Sequence, residues 1–151
     1  MRQAHVVPQF VEYIPERLEE GILYISEKYG TATHKCCCGC GEEVVTPLNP
    51  TDWSLKIESN LVTLDPSIGN WSFACRSHYW IQRGEVIWAA SMTQWQIERV
   101  RTFDRVNKEA YFRAKNQEKV VRTQVPRAAP IHAEAPGFLT LLRRVLKSLL
   151  K

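Results

Sequence analysis

His34-Lys35-Cys36-Cys37-Cys38-Gly39-Cys40-Gly41 places four of the chain's five cysteines within five residues. Neighbours that close cannot meet disulfide geometry with one another. Thiolates and imidazoles in sets of four are what a tetrahedral zinc ion takes, at about 2.0–2.3 Å. Glycines such as Gly39 and Gly41 let the backbone turn back on itself. A second short cluster follows in Phe73-Ala74-Cys75-Arg76-Ser77-His78, where Cys75 and His78 stand in a Cys-x-x-His spacing. Two such clusters separated by short strands predict a small sheet stapled by one zinc ion.

The residues leave the ligand set open. Cys37 and Cys40 form a Cys-x-x-Cys pair, whereas Cys36, Cys38 and Cys40 share one alternating register. Only two places remain if Cys75 and His78 both bind. Spacing alone thus keeps Cys36, Cys37, Cys38 and Cys40 as candidates beside Cys75 and His78, with Zn2+ as the expected cofactor.

Around the clusters the pattern is β-like. Ile22-Leu23-Tyr24-Ile25, Val44-Val45, Trp53/Leu55/Ile57, Leu61–Leu64, Tyr79-Trp80-Ile81 and Val86-Ile87-Trp88 are short apolar or alternating runs. Ser59-Asn60 and Arg83-Gly84 suit tight hairpin turns. Residues 1–20, broken by Pro8 and Pro15, read as an irregular lead-in. At Ser91 the period changes to helical. Ser91-Met92-Thr93-Gln94 fits a capping box, and Trp95, Val100, Phe103, Val106, Ala110 and Ala114 follow one stripe. Residues 121–136, with Pro126, Pro130 and Pro136, read as a Pro/Ala linker. Residues 137–151 form an amphipathic pattern, with Phe138, Leu141, Leu142 and Val145 opposite Arg143, Arg144 and Lys147. The expected fold is thus α+β. It comprises a lead-in (1–20), an antiparallel β-rich zinc domain (21–90), a long amphipathic helix (91–120), a linker and a basic C-terminal helix.

Composition limits the function. At 151 residues, 44% hydrophobic and with five tryptophans, the chain builds one compact core and is not wholly disordered. Net charge is +4, but residues 1–91 carry −4 and residues 92–151 carry +8. A basic second half suits an acidic partner: nucleic acid, an anionic membrane surface or an acidic protein face. The acidic first half argues against nucleic acid there, and Glu98, Asp104 and Glu109 dilute the field of the long helix. No apolar run is long enough to span a bilayer. The first residues lack a signal-peptide pattern, so a cytoplasmic location with reduced thiols is expected.

Cys36–Gly41, Pro66-Ser67-Ile68, Cys75-Arg76-Ser77-His78-Tyr79-Trp80-Ile81 and Gly84-Glu85-Val86 together resemble a bacterial zinc-binding family of unknown function. That family carries a Cys-x-Cys-Gly-Cys-Gly segment, a Pro-Ser pair and a Cys-x-Ser-His-aromatic segment before a Gly-centred hairpin. The resemblance covers about residues 20–90. It maps onto Cys36, Cys38, Cys40, Cys75 and His78 and leaves Cys37 outside. It implies Cys38, Cys40, Cys75 and His78 as ligands, with Cys36 the first substitute. It also implies a setting in operons with ubiquitin-like conjugation components.

Chemically, a cysteine-rich set of four ligands is typical of structural zinc. No Gly-rich phosphate loop, Ser/His/Asp order or nucleophile elbow stands out. The expected function is a zinc-stabilised, non-catalytic protein-interaction adaptor, accessory to a ubiquitin-like conjugation or defence system. Its predicted partner is another protein, engaged through residues 137–151. The alternatives are a zinc-dependent hydrolase using Glu42 or Glu43 as base, and a nucleic-acid-binding module.

Overall fold

A computed structural model of the chain describes residues 1–124. Eight strands and one helix follow in order: β1 (Val7–Phe10), β2 (Ile22–Ser26), β3 (Thr31–Lys35), β4 (Glu43–Pro47), β5 (Ser54–Glu58), β6 (Leu61–Gly69), β7 (His78–Gln82), β8 (Glu85–Trp88) and α1 (Gln94–Gln124). The strands form two four-stranded sheets, ordered β1-β2-β3-β4 and β5-β6-β7-β8. Every pair is antiparallel except β1 with β2. The α+β arrangement, with strands first and a long helix after, matches the sequence expectation.

Turn chemistry explains the hairpins. Ser59 and Asn60 (φ 50° and 62°) join β5 to β6, and Arg83 and Gly84 (φ 50° and 81°) join β7 to β8. Two consecutive left-handed residues give the turn whose twist matches paired strands. Alternation then decides the faces. Val62, Leu64, Ile68, Tyr79 and Ile81 from one sheet meet Leu23, Ile25, Ala32 and Val44 from the other in a single core. Inside it, Tyr79 Oη lies 2.9 Å from His34 Nε2 and ties β7 to β3.

The first residues are less irregular than their prolines suggest. Val7–Phe10 forms the edge strand β1, where Pro8 is tolerated because one side of an edge needs no donor. Upstream of it the backbone crosses between sheets: the Gln3 amide donates to Cys37 O (2.7 Å), Val6 to Gly84 O (2.8 Å), and Val86 to Ala4 O (2.8 Å).

The helix begins two residues later than the Ser91 capping box predicts. Thr93 is the cap instead: its Oγ1 accepts from the Gln96 amide (3.3 Å), while Gln96 Oε1 accepts from the Thr93 amide (2.8 Å). Both Ser91/Gln94 and Thr93/Gln96 satisfy the motif, and the second one buries Ile97. Lys108 pairs with Asp52 in the β4–β5 connection and with Asp104 (3.2 Å). The stripe carrying Trp95, Phe103 and Val106 faces outward, with Trp95 63% and Phe103 69% exposed. Met1–Ala114 forms one compact unit, and α1 from Lys115 belongs to a second. The helix runs to Gln124 and so enters the stretch read as linker. The predicted helix at 137–151 lies outside the described residues. Among the described residues, no helix is long and apolar enough to cross a membrane.

Candidate metal centre and Ser–His site

The β3–β4 connection is the cysteine-rich turn. The Gly39 amide donates to Cys36 O (3.0 Å), the Cys36 amide to Glu42 O (2.8 Å), and Gly39 and Gly41 take φ of 81° and 86°. These left-handed glycines fold the turn so that alternate sulfurs converge. The β6–β7 connection brings Cys75 from the other sheet, closed by an Arg76 amide bond to Phe73 O (3.0 Å) with Arg76 at φ 45°.

Cys36, Cys38, Cys40 and Cys75 place their four Sγ atoms within 4.8 Å of one another. Cys36 lies 3.4 Å from Cys38 and 4.0 Å from Cys75, and Cys40 lies 3.7 Å from Cys75. A tetrahedron of sulfurs about 2.3 Å from a central ion has edges of about 3.8 Å, so the spacing fits an ion. It is far longer than a disulfide bond, about 2.05 Å. The group can hold a metal, and it would join one sheet to the other.

Polar groups support the sulfurs. Ser77 Oγ is 3.1 Å from Cys36 Sγ, and Asn70 Nδ2 donates to Ser77 Oγ (2.9 Å) while pointing at Cys36 Sγ (3.6 Å). Both Asn70 and Ser77 are buried. Burial raises the Cys75 thiol, but the Ser77 hydroxyl and amide, with Cys38 and Cys40, outweigh it and bring it down to about 7. Burial, then the Cys40 and Cys36 thiols, push Cys38 upward, and burial raises Cys40 against the lowering pull of the Glu42 backbone and Cys38. Cys37 stays outside the group: it is buried in the core, and desolvation raises it to about 12.

His78, the fifth expected ligand, is not among these sulfurs. It opens β7, and its Nε2 lies 3.0 Å from Ser67 Oγ on β6. The register explains the meeting. Leu64 faces Ile81 and Ile68 faces Tyr79, so β6 takes four residue steps where β7 takes two. This bulge carries Asp65-Pro66-Ser67, whose Asp65–Pro66 peptide is cis, and sets Ser67 beside His78. The imidazole is bracketed by Trp71 (centroids 4.8 Å) and Trp80 (5.5 Å). Gly69 makes room for Trp71, since a Cβ there would sit 2.4 Å from the indole. His78 Nδ1 is buried and has no partner. A hydroxyl and an imidazole at hydrogen-bond distance are the two parts needed for a base-activated nucleophile.

Sequence reading missed Ser67 as a reactive group, although it singled out the Pro66-Ser67 pair. The usable signal was that pair and His78 within eleven residues, flanked by Trp71 and Trp80. Glu42 and Glu43, candidate bases for a metal hydrolase, are exposed at the start of β4.

No curated protein and no solved structure matches the chain. One family model does, over residues 10–89, a span that includes strands β2 to β8, all five cysteines, Ser67 and His78. With more than half of the sequence covered, this chain belongs to the family described as "Bacterial ubiquitination-like system serine protease (BubE)".

Proposed function

We propose that this protein is a serine peptidase of a bacterial ubiquitination-like system, with Ser67 as nucleophile, His78 as base and a structural zinc ion on Cys36, Cys38, Cys40 and Cys75. The observation that carries the reading is the 3.0 Å approach of His78 Nε2 to Ser67 Oγ in a chain of this family. In the first step Ser67 Oγ bonds to the acyl carbon of the substrate amide. His78 Nε2 takes the hydroxyl proton and passes it to the departing amine as the C–N bond breaks. Water then attacks the ester, again giving a proton to His78, and the carboxylic acid leaves as Ser67 regains its hydrogen. The neutral tautomer protonated on Nδ1 is the one this chemistry needs. Among the described residues no carboxylate accepts from Nδ1, so the aromatic bracket holds the ring in the role a third triad member has elsewhere.

Zinc fits the sulfur spacing and supplies cross-linking rather than bond chemistry. Four thiolates leave no open position, and the site holds the β6–β7 connection between the strands that bear Ser67 and His78. A cytoplasmic setting, where thiols stay reduced, suits such a site.

The test is labelling with a fluorophosphonate probe and locating the adduct by mass spectrometry. A single adduct on Ser67, absent in S67A and strongly reduced in H78Q, supports the peptidase. An unlabelled Ser67 in folded, metal-loaded protein rejects it. The adaptor reading remains as a second one because Trp95, Phe103 and Val106 are exposed together on α1. It gains if folded protein fails to label yet still captures a protein of its own operon.

A further inference from the structure

Helix α1 has two faces of different character. Ile97 is buried, Lys108 pairs with Asp52 and Tyr111 is half-buried, so the side bearing these three is the one turned to the β domain. At about 3.6 residues per turn, Arg99, Phe103, Val106 and Ala110 fall about half a turn away from it. They recur at alternating steps of four and three, the spacing that keeps one seam facing a partner helix. Trp95 flanks the seam, with the Arg99 guanidinium 4.7 Å from its ring centroid. Trp95, Phe103 and Val106 are all more than half exposed, on the side the chain's own core does not cover.

This seam complements itself when read backwards. In a two-fold interface, residue i meets residue j of the other copy and j meets i. Two α1 helices set antiparallel, centred between Asp104 and Arg105, bring Phe103 to Val106 of the partner subunit. The same register brings Arg99 to Ala110 of the partner subunit and Trp95 to Ala114 of the partner subunit. Each large side chain then faces a smaller one, as closely packed helices require. Arg99 also comes beside Glu109 of the partner subunit, and symmetry makes that contact twice. A parallel pairing would instead set Arg99 on Arg99 and Phe103 on Phe103. Charge and size therefore both select the antiparallel order.

We propose that this face of α1 binds a second copy of the chain, two helices packing antiparallel about Phe103 and Val106 with Arg99 of each against Glu109 of the other. Each β domain then lies on the outer side of its own helix and leaves the seam clear. The aromatic side chains of two copies offer roughly 400–600 Å² of apolar surface, at about 150–250 Å² for each whole side chain. That suits the apolar centre of an interface at the lower end of the specific range, about 1,200 Å² in total. The pairing is a reversible dimer, and it does not depend on the chemistry at Ser67.

Sedimentation velocity of the full-length protein over a concentration series is the test. The wild type should pass from monomer to dimer in the micromolar range. F103E, at an exposed position, should weaken the dimer at least tenfold with an unchanged circular dichroism spectrum. R99E and E109R should each weaken it about tenfold, because each sets like charges together. An equimolar mixture of these two single variants places opposite charges at both contacts, so it should dimerise as the wild type does. The double variant R99E/E109R should do the same. A wild type that stays monomeric throughout overturns the proposal, and so does a dimer that F103E leaves intact. Charge variants without effect, or without recovery in the mixture, overturn the antiparallel register.

Discussion

Ser67 Oγ and His78 Nε2 lie 3.0 Å apart on adjacent strands, eleven residues apart in sequence and directly next to the connection that carries Cys75. The sulfur group and the Ser–His pair therefore share one structural element. Anything that frees the β6–β7 connection should disturb both.

His78 separates the two sites experimentally. H78Q should lower peptidase kcat/KM by about 10²–10⁴-fold, the range a positioned general base contributes. It should keep one zinc per chain by elemental analysis. X-ray absorption on the wild type should count four sulfur neighbours and no nitrogen. Loss of zinc in H78Q would return this histidine to the ligand set.

C75S and C40S should each lose zinc and unfold at lower denaturant, by about 3 kcal/mol or more, as expected when a metal cross-link is lost. Activity should fall in step with the zinc content. C37S is the control: it should keep the metal, because Cys37 lies in the core and outside the sulfur group. A normal zinc content in C75S would rule out the proposed ligand set.

G69A should act through Trp71. The added methyl meets the indole at 2.4 Å and must displace it, costing about 1–3 kcal/mol as an overpacking change. Trp71 then no longer braces His78, so kcat should drop roughly tenfold with KM little changed, as for lost positioning. W71A should mimic this effect and W71F should restore part of it. Unchanged kcat in W71A would remove Trp71 from the positioning role.

Acid should destabilise the fold through His34. Burial lowers this imidazole from 6.5 to about 4. The unfolded chain therefore binds its proton first, and between those values it holds more protons than the folded one. Stability from His34 is complete above pH 6.5 and is lost as pH falls towards 4, by about 3 kcal/mol in all. Urea unfolding at pH 7.5 and 5.0 checks it, with H34Q expected to show a flatter profile. Parallel profiles for the two proteins would contradict the assignment and leave the thiols as the acid-sensitive groups.

The two hairpin turns, the β-rich region and the long helix were legible because each is set by local rules. Ser59-Asn60 and Arg83-Gly84 favour left-handed backbone, and strand runs and helical stripes differ in period. The helix start was misplaced because two capping boxes overlap, and only burial of Ile97 chooses between them. Strand β1 escaped notice because prolines argue against strands in general but not at an edge.

The sequence by itself determined that cysteines from two distant segments meet: thiol chemistry and glycine turns leave few other uses for such a cluster. It also determined the order of strands before helix, through periodicity. Only the tertiary structure brought Cys36 together with Cys38, Cys40 and Cys75, and set His78 beside Ser67. Both outcomes depend on the register of β6 against β7, where a bulge of two residues shifts every later side chain. Register is fixed by packing between sheets, not by neighbours in sequence, and so a serine in a Pro-Ser pair becomes a candidate nucleophile only once the strands are paired.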